Sequence, residues 1–236
     1  MRLYNGTTEL EGYGAFEPAT FVADNHPSDE ELARVVSETP GPICLNGEVG
    51  SRWSKAMEPA EDAATFNELA RQLDVIQEAA FPHLARVGIF GLPRTVSLTS
   101  SRWWKDAHEW NRGYGWQYLY DEERGYDRYA IANRVAMACP ELYLWAWRSR
   151  DEWDRVAEKS VEYARESNPF EVAPFISPVR PDPKAEGQKF FTVLDEGEVQ
   201  RQLDVLKSLG VEAAWVWVPY YHRLVMPEIA DMYLDD

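Results

Sequence analysis

Short apolar runs alternate along the chain with stretches in which apolar residues return every three to four positions. The runs are Arg2 to Asn5, Ile43 to Gly47, Val87 to Phe90, Leu142 to Trp147, Val172 to Ile176 and Ala214 to Val218. Each is nearly continuous in its apolar character, as parallel strands buried on both faces should be. The stretches between them read as helices. Ser28 with Glu31 forms a capping box ahead of Leu32, Val35 and Val36. Phe66, Leu69, Leu73 and Ile76 line one face of a helix that should end near Pro82. Ser149 with Glu152 is a second capping box, before Trp153, Val156, Ala157 and Ala164. Val199, Leu203, Leu206 and Leu209 line a further helix, which Gly210 should stop.

Strand–helix repetition of this kind predicts right-handed crossovers and a parallel sheet. No Gly-rich phosphate loop follows any of the strands, so a barrel fits better than a nucleotide-binding open sheet, and no cofactor is expected. The expected fold is α/β, a (β/α) TIM-like barrel that is irregular or has fewer than eight strands. Residues 1–236 form one barrel domain in this reading. The Pro-rich, charged segment SPVRPDPKAEGQK, residues 177–189, reads as a loop within it.

Composition narrows the function. The net charge is −16, from 24 Lys and Arg against 40 Asp and Glu. That balance argues against nucleic acid, whose phosphates need basic partners. No apolar run is long enough to cross a membrane, and the N-terminus MRLYNGTTELEG lacks the apolar core of a signal peptide. Cys44 and Cys139 sit in apolar runs and read as buried free thiols. The 10 Trp and 12 Tyr exceed what a core requires.

Barrels of this kind carry their chemistry at the C-terminal ends of the strands. Those ends supply Asn46 and Glu48, then Trp145, then Arg180 and Asp182, then Tyr220, with Trp53 close behind Glu48. The segment 99–129 adds Trp103, Trp104, Trp110, Tyr114, Trp116, Tyr118 and Tyr120. Aromatic faces stack on the C–H faces of sugar rings while Arg, Asp and Asn bond the hydroxyls. The same rings would also serve to pack the segment on the barrel or to form a protein interface. Asp106, His108 and Glu109 lack a metal-ligand spacing, and no G-x-S-x-G is present, so neither a metal site nor a serine nucleophile is predicted. A carboxylic acid at a buried strand end remains. Desolvation would raise the pKa of Glu48, as proton donation to a departing glycosidic oxygen requires. Asn46, two residues back on an extended chain, would face the same way.

The order of PICLNGE, RVGIFGLP, CPELYLWAW, VAPFISPVR and AAWVWVP, over about residues 40–220, resembles hyaluronidase-like and related bacterial glycoside-hydrolase barrels. In that family a strand ends in D-x-E, whose Glu is the proton donor. The resemblance places that role on Glu48 and the family's Asp on Asn46, an Asn-x-Glu variant of the motif. Some endo-β-N-acetylglucosaminidases also carry Asn-x-Glu on a similar barrel. The resemblance further implies substrate-assisted attack, in which the acetamido group of the sugar reacts at the anomeric carbon. The family's P-x-L-Y tyrosine falls on Tyr143, a contact to the sugar.

Two functions follow as expectations. One is a glycoside hydrolase acting on an N-acetylhexosamine-containing glycan, with Glu48 and Asn46 at the reaction. Tyr143, Trp145, Arg180, Asp182, Trp53 and Tyr220 would bind the sugar. The other is an inactive barrel that binds carbohydrate or joins a protein assembly, for example as a virion component.

Overall fold

The alternation of strands and helices read from the sequence is carried by the chain. The computed structural model describes residues 1–6, 16–24, 26–46, 59–81, 83, 85–91, 120–121, 126–127, 134–143, 150–167, 171–181, 191–218 and 232. The elements run β1 (Arg2–Asn5), β2 (Thr20–Val22), α1 (Asp29–Glu38), β3 (Ile43–Leu45), α2 (Pro59–Ala80) and β4 (Val87–Phe90). There follow β5 (Tyr120–Asp121), β6 (Tyr126–Asp127), β7 (Met137–Cys139), α3 (Arg150–Ser167), β8 (Glu171–Val172) and β9 (Phe175–Ile176). The last are β10 (Val179–Pro181), β11 (Phe191–Val193), α4 (Glu196–Ser208) and β12 (Ala213–Val216).

Eight of these strands form two parallel arcs, in the orders β2-β3-β4-β7-β8 and β1-β12-β9. On one side the arcs are continuous through residues 171–176, which pair with β7 at one end and with β12 at the other. On the other side the Glu17 N–H donates to the Leu3 carbonyl at 2.8 Å, in an isolated parallel bridge between Tyr4 and Glu17. The described ladders therefore do not merge into a closed ring. Prolines mark the seams. Pro18, Pro140 and Pro174 cannot donate to a ladder, although the carbonyls of Pro140 and Pro174 accept from Phe175 and Trp215 at 2.8 Å.

Strand parity divides the core in two. Ile43, Leu45, Val87, Ile89, Ala138, Ala214 and Val216 face the helices and pack with Leu69, Leu73, Ile76, Trp153, Leu203 and Leu206. Tyr4, Cys44, Met137, Cys139, Ala173, Phe175, Ala213 and Trp215 alternate with them and fill the interior. Both sets are buried, so the strands read as unbroken apolar runs. Helix ends follow the local chemistry. The Ser28 hydroxyl accepts from the Glu31 N–H at 3.2 Å, and acidic residues occupy the first turn of α1. Asp195 accepts from the Glu198 N–H at 2.9 Å to start α4, and Gly210 at φ +70° follows its end.

Three expectations need correction. The chain pairs earlier than the strand expected over Leu142 to Trp147, at β7, and Leu142 and Tyr143 are not in a strand, while residues 144–147 lie outside the described residues. Gly88 leaves room for Met137 and Cys139, and Pro140 then interrupts the donors. Residues 141–142 remain joined to β9 only by the Glu141–Phe175 bridge and the Leu142 N–H to Phe175 carbonyl bond of 2.8 Å. The segment 177–189 is not wholly loop, because β10 pairs antiparallel with β11. The strand β2 was not expected at all. The segment 99–129 lies outside the described residues apart from β5 and β6, which pair antiparallel.

Candidate functional site

The interior is closed at the N-terminal end of the strands. Arg2 and Arg86 both bind Glu171, at 2.8 and 2.5 Å, and Arg86 also donates to the Tyr4 hydroxyl at 3.2 Å. Above this charged floor Tyr4 packs on Trp215, with ring centroids 5.1 Å apart. Trp215 stacks on Phe175 at 5.6 Å with planes 5° apart. Cys44 and Cys139 lie at the same depth on either side of Gly88. A Cβ at Gly88 would stand 2.4 Å from the Cys139 Sγ. Burial pushes the Cys44 thiol well above its usual pKa, and the neighbouring Cys139 pushes it further. Both thiols are free and buried, as the sequence indicated.

Toward the C-terminal end of the strands the interior is packed with aromatic rings. Phe90 meets Phe175 edge to face at 4.7 Å, and Phe21 meets Phe90 and Phe175 at 6.2 and 5.8 Å. Tyr143 lies 6.2 Å from Phe90 and stacks on Trp217 at 5.2 Å, planes 26° apart. Asn46 stands beside these rings. The register Leu45↔Ile89 makes it the lateral neighbour of Phe90, and the register Val22↔Leu45 sets it opposite Ala23. Its amide donates to the Ala23 carbonyl at 3.0 Å. Two residues past the inward-facing Cys44, it points to the interior side.

Asn46 and Tyr143 thus both neighbour Phe90 at the C-terminal end of the strands. Arg180 lies in the β10–β11 ribbon, paired with Thr192. Glu48, Trp53, Trp145, Asp182 and Tyr220 lie outside the described residues. Phe21, Phe90, Phe175 and Trp217 were missed as members of this cluster of rings, and alternation within each apolar run was the signal that marks them. A separate hollow of about 590 Å³ opens at the opposite end, lined in part by Arg2, Glu17, Lys207 and Glu212. In barrels that face carries stability rather than chemistry. Among the described residues no three His, Cys, Asp or Glu side chains gather as metal ligands. No described helix is long and apolar enough to cross a membrane.

No family model matches the chain, and no curated protein matches it. Solved structures do. Bee venom hyaluronidase superposes with a TM-score of 0.58 at 9% identity, over 99% of each chain. The same enzyme in complex with a hyaluronic acid tetramer superposes with a TM-score of 0.58 at 11% identity, over 98% of this chain and 94% of that one. At such identities the likeness shows the fold, an α/β barrel of the hyaluronidase kind, and the fold alone.

Proposed function

We propose that the chain is a glycoside hydrolase acting on a glycan that contains N-acetylhexosamine. The observation that carries this reading is the mouth itself. Asn46 sits at a strand C-terminus beside a wall of Tyr143, Trp217 and Phe90, on a barrel that aligns end to end with a hyaluronidase. One such neighbour holds a hyaluronic acid tetramer, a polymer of this class.

In the proposed reaction Glu48 protonates the glycosidic oxygen as the bond to the anomeric carbon breaks. The acetamido oxygen of the same sugar attacks that carbon, so no protein nucleophile is needed. Asn46 holds the acetamido group by hydrogen bonds, and Tyr143 contacts the sugar. Glu48, now a carboxylate, then takes a proton from the water that opens the cyclic intermediate. Trp53, Trp145, Arg180, Asp182 and Tyr220 complete the sugar contacts.

The test is cleavage of hyaluronan, chitin oligomers, peptidoglycan and N-glycans by the native chain and by Glu48→Gln. The expected result is cleavage of one of these by the native chain and loss of at least a hundredfold in the variant. Cleavage by the variant at the native rate overturns the assignment. A second reading, carbohydrate binding without turnover, is favoured by one observation. Position 46 holds no carboxylate, and its amide is tied to Ala23. Saturable binding with no cleavage by the native chain would select it.

A further inference from the structure

The indole of Trp153 is fully buried in α3. Its Nε1–H has a definite use, donating to the Leu142 carbonyl at 2.8 Å. That carbonyl belongs to the peptide unit joining Leu142 to Tyr143. The Leu142 N–H, on the preceding peptide unit, is held by the Phe175 carbonyl at 2.8 Å. With both planes fixed, the backbone at Leu142 is fixed, and with it the place of the Tyr143 nitrogen and Cα. The Tyr143 ring carried from that point stacks on Trp217 and lies 6.2 Å from Phe90.

Trp153 is itself held. The Arg201 guanidinium lies over its ring, 5.4 Å from the centroid. Arg201 is bound by Asp154 and by Glu198, the latter at 2.7 Å, and the buried Glu198 also takes Arg150 at 2.7 Å. An ion network between α3 and α4 therefore ends on one indole, and the indole ends on one peptide at the mouth.

We propose that Trp153 is a positioning residue for Tyr143, acting through the Leu142 carbonyl. That Tyr143 then meets a sugar rests on the function proposed above; that Trp153 sets its ring does not. Trp153→Phe removes the donor together with part of the indole's volume, leaving the Leu142 carbonyl buried without this bond. The ring of Tyr143 should then lose its fixed position over Trp217.

The experiment labels the full chain with 3-fluorotyrosine at position 143, or at position 4 as a control. Fluorine spectra are recorded with native Trp153, Trp153→Phe and Arg201→Met. The expected result is a resonance at 143 that moves by more than its linewidth in Trp153→Phe, and less in Arg201→Met, while the signal at 4 stays in place. An unmoved signal at 143, or equal movement at both positions, overturns the proposal. If Trp153→Phe does not fold, Arg201→Met decides: a shift at 143 larger than at 4 supports the proposal, and an equal or absent shift at 143 overturns it. Titration with hyaluronan and chitin oligosaccharides, peptidoglycan fragments and N-glycans separates the two claims. A moved signal in a chain that binds no sugar supports the positioning and removes the function. A moved signal with a severalfold weaker sugar affinity supports both.

Discussion

The Asn46 side-chain amide donates to the Ala23 carbonyl at 3.0 Å, across the β3–β2 register. An ionised aspartate cannot make this bond, because a carboxylate only accepts and would face another acceptor. Asparagine at position 46 thus has a local physical partner that aspartate would lose. Asn46→Asp should cost about 1–2 kcal/mol at neutral pH, a fall of roughly 2–8 °C in Tm for a chain of this size. The loss should shrink in acid, where a protonated carboxyl donates again. Thermal melts at pH 7 and pH 4 check this; equal Tm values for native and variant at pH 7 would sink it.

Gly88 lies between two strands whose side chains close over it. A methyl group there would stand 2.4 Å from the Cys139 Sγ and 3.3 Å from the Met137 Cβ. Both neighbours are fully buried. Gly88→Ala should therefore destabilise by about 1–3 kcal/mol, the usual cost of overfilling a packed interior. The pair Gly88→Ala with Cys139→Ala should regain most of that loss, since the second change removes the obstructing sulfur. Urea denaturation of the three variants tests it, and an unchanged midpoint for Gly88→Ala would refute the packing.

The helices and the strands β1, β3, β4, β8, β9 and β12 were legible because burial on both faces writes itself into the sequence as unbroken apolar runs, and caps such as Ser28 with Glu31 fix helix starts. Which side of each strand faces the interior was not equally plain. Cys44 and Leu45 are both fully buried, and only the closing of the arcs separates them into different cores. The aromatic wall went unseen for that reason: Phe21, Phe90 and Phe175 look like ordinary core residues until the strands curl. The strand β7 was passed over in the sequence reading because LYLWAW is more apolar than MAC. What a strand beside Gly88 requires is side chains that fit close against it, and Pro140 ends the run of donors. The three residues of β2 were too few to show a period. Of the candidate site, Asn46 was reached by its position at a strand end and Tyr143 through the P-x-L-Y resemblance, whereas Trp153 was expected only as a helix core residue.

The two interior thiols give a chemical reading of how tightly the barrel is filled. Burial raises the Cys44 pKa first, and the adjacent Cys139 adds to it. Neither thiol should react with an aromatic disulfide reagent in the native state near pH 8, and both should react at the rate at which the chain unfolds. The sign for stability follows. A folded pKa above the unfolded value gives stability that is complete below about pH 8.5, and that falls as pH rises beyond it and the unfolded chain ionises. Cys44→Ala should flatten that alkaline decline. Prompt stoichiometric labelling of the native chain would show the interior to be open.

Glu68 provides the opposite case. It receives Arg71 at 2.6 Å and Gln72 at 2.9 Å, and Arg71 also binds Asp29 and the Pro27 carbonyl, tying α2 to the start of α1. The bond from Arg71 holds the Glu68 carboxyl below its ordinary range, against the upward push of burial. A folded pKa below the unfolded value means that the contribution is present above about pH 4.3 and lost as pH falls through the folded value. Because the cluster is partly exposed, roughly 0.5–1 kcal/mol is at stake. Glu68→Gln should lower the Tm near pH 7 by a few degrees. The native chain should then lose more stability than the variant between about pH 5 and pH 3, so that the two melting curves converge. Parallel acid declines for the two proteins would show that the Arg71 bond contributes nothing to folding.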